Sequence, residues 1–198
     1  MSFYERRLPH WDVVGKKVFV TFRLHGSLPR TRIFPPARMT AGEVFVAMDC
    51  ILDRADNGPT YLRRPEIASL VIQSIRDGDE QFRRYDLHAF VVMPNHVHML
   101  VTSLVKLCNW TGPLKGFTGR AASQALNLNG TPFWQDESYD HLVLNDEEAQ
   151  NIRRYFEWNP VKAGLADAPE TFPHSSATPG GSPAAVLRPL KGTAGRKP

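Results

Sequence analysis

Hydrophobic and polar positions alternate in short periodic runs along the chain. From Lys17 to Leu24, the apolar Val18, Val20, Phe22 and Leu24 alternate with a more polar second set, the period-2 pattern of a half-buried strand. Thr40-Ala41-Gly42-Glu43 has the spacing of a capping box, and Val44, Ala47, Met48, Ile51 and Ala55 follow at helical intervals, which predicts a first helix. Pro65 suits the first residue of a second helix, with Ile67, Leu70, Val71 and Ile75 apolar and Gly78 near its end. From Ala89 to Met93 both faces are apolar, which predicts a strand in the middle of a sheet, and Pro94-Asn95 signals a turn. Beyond the turn, Val97, Met99 and Val101 share one strand face, while His96, His98 and Leu100 share the other. A third helix is predicted from Pro113 to about Leu128, with Leu114, Phe117, Ala121, Ala125 and Leu128 on its stripe and Gly116 and Gly119 weakening its start. Phe133 to Leu144 reads as loop and then short strand. The last helix starts at Asn145 or Asp146; Asn145 and Glu148 resemble another capping box, and Ala149, Ile152 and Phe156 form the buried stripe. The order β-α-α-β-β-α-β-α around a central hairpin predicts an α+β fold, an antiparallel sheet with helices packed on one side.

Composition narrows the class. At 198 residues, 42% hydrophobic and 22% charged, the chain suits one sizeable globular domain. It contains no apolar run approaching the roughly 20 residues of a membrane helix. Its start, Met1 to Arg7, lacks the apolar segment of a signal peptide, and Cys50 and Cys108 match no zinc or redox spacing, so a cytoplasmic location is expected. The net charge of +4 sits in the C-terminal segment. Thr171 to Pro198 carries Arg188, Lys191, Arg196 and Lys197 without an acid, and the remaining 20 basic residues balance 20 acidic ones. That segment is rich in Pro and Gly, which predicts a domain over 1–170 and a basic, flexible tail over 171–198. Such an arm is compatible with nucleic acid, although tails of this kind are often only solvated.

Chemistry concentrates at two places. In a strand, His96 and His98 point to one side, so both imidazoles can reach one cation; two histidines on a solvated sheet face are the ordinary alternative. A buried hairpin is a costly place to leave two imidazoles without partners, which favours the cation. Tyr155 stands at the edge of the last helix's buried stripe, and Asn159 follows one turn later on the same side. The plain alternative is a helix-flanking tyrosine and an asparagine that ends a helix before Pro160. Taken together, two imidazole nitrogens and an amide oxygen would hold a divalent ion, Mg²⁺ or Mn²⁺, able to polarise a phosphodiester. A neighbouring phenol could attack phosphorus and form a covalent phosphotyrosine. Tyr139 is a rival nucleophile without a helical partner at the right spacing, and His141 could assist a proton transfer or be structural. Lys115, Arg120, Arg153, Arg154 and Lys162 are the cations best placed for a DNA backbone, and Trp110, Trp134 and Trp158 could stack on bases or sit in the core. A zinc deaminase is disfavoured, because the histidine motif lacks the accompanying Glu and Cys-x-x-Cys.

From about Arg7 to Leu165 the sequence resembles the REP-associated tyrosine transposases, a branch of the single-tyrosine HUH transposases (His, a hydrophobic residue, His). The resemblance rests on Leu8-Pro9-His10, Val20-Thr21-Phe22-Arg23-Leu24, Val92-Met93-Pro94-Asn95-His96-Val97-His98-Met99-Leu100-Val101, Leu114-Lys115-Gly116-Phe117-Thr118, Phe133-Trp134-Gln135, Ser138-Tyr139-Asp140-His141, and Tyr155 through Asn159-Pro160-Val161-Lys162-Ala163-Gly164-Leu165. It implies a ferredoxin-like fold with the histidine motif on a central strand. It also implies His96, His98 and Asn159 as metal ligands and Tyr155 as nucleophile. The implied substrate is single-stranded DNA with a palindromic hairpin of the repetitive extragenic kind, and the implied state is a monomer rather than a dimer. Such enzymes cut one strand, hold the 5′ phosphate on tyrosine and leave a free 3′ hydroxyl, so that rejoining needs no ATP. The rival expectations are a catalytically silent hairpin-binding protein and a phosphodiesterase that uses a metal-bound water without a tyrosine adduct.

Overall fold

The computed structural model describes residues 2–5, 9–12, 14–29 and 41–179. Two short strands, β1 (Ser2–Glu5) and β2 (Pro9–Asp12), pair as an N-terminal hairpin. The main sheet is four-stranded and antiparallel: β3 (Lys17–Arg23), β4 (Tyr85–Val92), β5 (His96–Ser103) and β6 (Tyr139–Leu142), in the order β4-β5-β3-β6. Helices α1 (Ala41–Arg54) and α2 (Pro65–Glu80) link β3 to β4, and α3 (Cys108–Leu126) links β5 to β6. Helix α4 (Asp146–Glu157) and the short α5 (Asn159–Lys162) follow. With β3 and β5 at the centre and split β-α-β crossovers, this is a ferredoxin-like α+β sheet, and the histidine motif lies on a central strand as the sequence implies.

One sheet face is almost wholly apolar. Val18, Val20 and Phe22 of β3 and Val97, Met99 and Val101 of β5 meet Ile67, Val71 and Ile75 of α2 and Trp110, Leu114 and Ala122 of α3. A bulge in β4 between Leu87 and Ala89 lets Leu87 and Phe90 both face this layer, while Ala89, Val91 and Met93 face the other. Helix α2 starts at Pro65 as predicted, after an extended Arg64 with ψ 121°. Gly78 is demanded by packing: a Cβ there would lie 2.1 Å from the Tyr85 hydroxyl, which donates to the Ile75 carbonyl at 2.7 Å. The opposite face is covered by α4 and α5, with α1 beside them, around Phe19, Leu100, Ala149 and Phe156. Among the described residues no helix is long and apolar enough to cross a membrane.

Three expectations are corrected. Helix α3 begins at Cys108, with Pro113 inside it, because Trp110 is drawn into the core and its indole N–H donates to Ser103 Oγ at 2.9 Å. Its buried stripe is Trp110, Leu114, Thr118 and Ala122, which leaves Phe117 exposed. In α1 the predicted apolar stripe is also turned outward, with Ala47, Met48 and Ile51 exposed, while Asp49 and Leu52 are buried; Thr40 of its predicted capping box lies outside the described residues. Finally, β4 is an edge strand of the sheet rather than a middle one. Its two-sided apolar pattern is explained by residues 172–178, which run along it: Val92 N–H donates to the His174 carbonyl at 2.8 Å and Ser176 N–H to the Phe90 carbonyl at 2.9 Å. The first part of the expected tail is therefore packed, with Phe172, Ser175 and Ser176 buried, and its basic residues lie outside the described ones.

Candidate active site

The site lies on the α1/α4/α5 face, where three pieces of chain deliver polar side chains into an apolar surround. Strand β5 supplies His96 and His98, both with no exposed surface. Their Nε2 atoms are 3.0 Å apart. The other ring nitrogens are held: His96 Nδ1 lies 2.7 Å from Asn95 Oδ1, and His98 Nδ1 lies 2.7 Å from Thr21 Oγ1. Asn95 uses its amide N–H to reach the Leu52 carbonyl at 3.0 Å, so its oxygen faces His96 and fixes the proton on Nδ1. That tautomer leaves the His96 Nε2 lone pair aimed at the cluster. Burial, with the neighbouring His98 adding to it, pushes the His96 imidazolium down to about 3, so the ring is neutral at ordinary pH. Phe19 stacks on the His98 ring with centroids 5.5 Å apart, and the Phe156 ring also stacks on it at 5.8 Å.

Helix α1 supplies two carboxylates that lie off the apolar stripe predicted for it. Asp49 Oδ1 is 3.1 Å from His98 Nε2 and 3.6 Å from His96 Nε2, and Asp53 Oδ1 is also 3.6 Å from His96 Nε2. Burial works to raise the Asp49 carboxyl, but His98, His96 and the Tyr155 hydroxyl together hold it well below the usual carboxylate range. Asp53 behaves in the opposite way: burial, reinforced by the charge of Asp49, raises it to about 7. Both Oδ1 atoms are sealed from solvent, and that of Asp53 has no hydrogen-bond partner.

Helices α4 and α5 bring in the phenol and the amide. Asn145 caps α4, its Oδ1 accepting from Glu148 N–H at 2.8 Å, and the buried Ala149 and Phe156 seat the helix. Tyr155 then donates its hydroxyl to Asp49 Oδ2 at 2.9 Å. Asn159, fully buried, donates Nδ2–H to the same oxygen at 3.1 Å, with His98 Nε2 3.4 Å away. Burial, then the charge of Asp49 and its hydrogen bond, push the Tyr155 hydroxyl far above the usual phenol range. The Lys162 ammonium stands 4.3 Å over the Tyr155 ring.

The residues present fit a divalent cation. One donor atom each from Asp49, His96 and His98 lie within 4.8 Å of one another. Two imidazole nitrogens and a carboxylate oxygen are a mixed donor set of the kind such ions take, and Asp49 Oδ1, sealed from solvent, points into it. The structure thus unites His96, His98, Tyr155 and Asn159, and adds Asp49, which sequence reasoning missed. Asn159 presents its amide nitrogen to the cluster, and its Oδ1 lies 3.4 Å from Lys162 Nζ. The only sequence signal for Asp49 was its spacing of four from Asp53, and a pair of acids on a helix usually faces water.

The remaining candidates divide. His141 pairs with Glu148 Oε1 at 2.8 Å. Tyr139 stacks on Phe45, with centroids 4.4 Å apart. Lys115 and Arg120 line an open groove of about 710 Å³ between α3 and the 133–138 loop, where Lys115 Nζ donates to the Asp136 carbonyl at 2.7 Å and burial lowers its amine to about 8. Arg153 is bound to Glu157 at 2.9 Å, whereas Arg154 is exposed. Trp110 and Trp134 are core residues with bonded indoles, which leaves Trp158, at 45% exposure, able to stack.

No protein-family model and no curated protein sequence matches the chain. Among solved structures it is similar to a REP-associated tyrosine transposase bound to a REP hairpin, at 20% identity and a TM-score of 0.53, over 89% of this chain and 82% of that one. It is also similar to a candidate transposase from Deinococcus radiodurans R1, at 16% identity and a TM-score of 0.42, over 79% of this chain and 96% of that one. At these identities the likeness concerns the fold, and on the first comparison this chain has the ferredoxin-like α+β fold of a REP-associated tyrosine transposase.

Proposed function

We propose that this protein is a metal-dependent single-stranded DNA endonuclease and strand transferase that acts at hairpin sites through a covalent 5′-phosphotyrosine at Tyr155. The observation that carries this reading is the convergence of a phenol, an amide, a carboxylate and two imidazoles at one buried point, with Tyr155 Oη 2.9 Å from Asp49 Oδ2. His96, His98 and Asp49 would hold Mg²⁺ or Mn²⁺, and Asn159 would join them through its carbonyl oxygen if its amide turned over. A bound cation would polarise the scissile phosphodiester and offset charge on its non-bridging oxygens.

In the cleavage step the Tyr155 oxygen attacks phosphorus and a new O–P bond forms. The bond to the 3′ oxygen breaks, and that oxygen takes up a proton to become a free hydroxyl. Asp49 Oδ2 already accepts the phenol's hydrogen bond, so it is the nearest atom to take the phenolic proton. Attack of a 3′ hydroxyl on the phosphotyrosine reverses the sequence and rejoins DNA without ATP. Lys162, over the Tyr155 ring, would steady the approaching phosphate, with Lys115, Arg120, Arg153 and Arg154 as further backbone contacts. Hairpin DNA is the partner of the REP-associated structure of the same fold, and the same partner is proposed for this chain.

A covalent-trapping assay tests this. End-labelled single-stranded hairpin DNA from the host's repetitive elements, incubated with the protein and Mn²⁺ or Mg²⁺, gives a protein–DNA adduct on denaturing gels. The adduct is lost with chelator and in Tyr155→Phe. Cleavage that persists in Tyr155→Phe without an adduct sinks the phosphotyrosine mechanism in favour of a metal-water phosphodiesterase. Tight hairpin binding with neither product identifies a silent binding protein.

A further inference from the structure

Helix α1 meets the sheet with its polar edge. Phe45, Asp49, Leu52 and Asp53 lie at helical spacing toward the site, whereas Val46, Met48 and Ile51 are exposed at 44%, 40% and 39%. An amphipathic helix in a globular protein normally buries the apolar set instead. The inward side has some ordinary contacts, since the Leu52 carbonyl accepts from Asn95 and the Phe45 ring stacks on Tyr139. These do not account for a buried Asp49 beside an Asp53 that keeps only 12% of its side chain exposed. Asp49 Oδ1 and Asp53 Oδ1 are each 3.6 Å from His96 Nε2 and sealed from solvent; His98 Nε2 lies 3.1 Å from Asp49 Oδ1, whereas Asp53 Oδ1 has no hydrogen-bond partner. Burying such groups is costly unless a positive charge compensates them. With imidazole nitrogens on the other side, the compensating ligand of matching chemistry is a divalent cation.

We propose that α1 is a cation-tethered lid, in which Asp53 joins Asp49 as a second carboxylate donor so that the cation ties α1 to β5 over Tyr155. This rests on the cation-site reading above. With α1 in place, His96, His98 and Asn159 have no exposed surface, so a DNA strand cannot reach the cluster. The strand would enter while α1 is raised, and return of Asp49 and Asp53 toward His96 and His98, where they would help hold the cation, would close the site around it. Raising α1 also withdraws Asp49 from the Tyr155 hydroxyl.

The test uses the full chain without DNA, and combines Mn²⁺ titration calorimetry with hydrogen exchange of the α1 amides. Mn²⁺ is expected to slow exchange across residues 41–54. Asp53→Asn is expected to weaken Mn²⁺ binding about tenfold and to abolish that slowing, with the far-UV circular dichroism unchanged. If Mn²⁺ binds the unaltered chain and α1 exchange does not respond, the tether is overturned without recourse to any variant. Unchanged affinity in Asp53→Asn, with binding lost in His98→Ala, overturns the role of Asp53 and leaves the cation site standing. Binding unchanged in His98→Ala as well, or absent from the unaltered chain, overturns the cation site itself.

Discussion

The same four strands present two unlike faces. Toward α2 and α3, Val18, Val20, Phe22, Val97, Met99 and Val101 make a continuous apolar layer with Ile67, Val71, Ile75 and Leu114. Toward α1, α4 and α5, the intervening residues include Thr21, His96 and His98, and the helices answer with Asp49, Asp53, Tyr155 and Asn159. Full burial of each large apolar side chain contributes about 1.5–3 kcal/mol, so the first face is the source of stability. The second face holds a polar cluster inside an apolar frame of Phe19, Val91, Leu100 and Phe156, where low dielectric strengthens every charge interaction. The comparison teaches that the two roles are separable by strand parity: Val20 and Phe22 serve the fold, and Thr21 between them serves the site.

That separation can be broken in a definite order of effect. Phe22→Ala, on the apolar face, is expected to cost about 3–5 kcal/mol of unfolding free energy in denaturant titration, and to leave Mn²⁺ affinity unchanged at temperatures where the chain stays folded. A matching fall in affinity would show that the faces are not independent. Thr21→Val keeps the side-chain shape but removes the 2.7 Å partner of His98 Nδ1. It should lower Mn²⁺ affinity about 10- to 100-fold by calorimetry, with a smaller effect on stability than Phe22→Ala.

The smallest effect lies away from both layers, at Lys115. Burial lowers its amine to about 8, so it is charged below that pH and loses its charge as pH rises through it. If Lys115 contacts hairpin DNA as proposed, that contact would be present near neutrality and lost above about pH 8, where an exposed lysine still carries its charge. The stability linkage has the opposite sign, because between pH 8 and the ordinary lysine range the unfolded chain binds a proton that the folded chain does not, so stability rises with pH across that window. Hairpin affinity measured by fluorescence anisotropy should fall a few-fold from about pH 7 to pH 9, and Lys115→Met should flatten that fall. An unaltered pH profile in the variant would remove Lys115 from the DNA contacts.

Much of the molecule was legible before the structure. The period-2 run through Val18, Val20 and Phe22, the Pro94-Asn95 turn, Pro65 at the start of α2 and the Asn145 cap of α4 all stand where local chemistry put them, because each depends on backbone preferences or on a face meeting oil. The parts that escaped are those where the partner is not oil. Helix α3 extends before Pro113 because Trp110 is anchored by the core, and β4 takes an apolar pattern at the sheet edge because residues 172–178 cover it.

By itself the sequence determined the antiparallel α+β arrangement, the placement of His96 and His98 on one side of a central strand, and the position of Tyr155 at the edge of the last long helix's buried stripe, whereas Asn159 opens the separate α5. Strand parity and helical pitch are local rules, so the chain carries them in its spacing. Only the tertiary structure decided that α1 lies with Asp49 and Asp53 inward, and that Asp49 meets the Tyr155 hydroxyl across a separation of 106 residues. A hydrophobic pattern assigns carboxylates to water; the β5 imidazoles that these two face lie far along the chain, where no local window contains them.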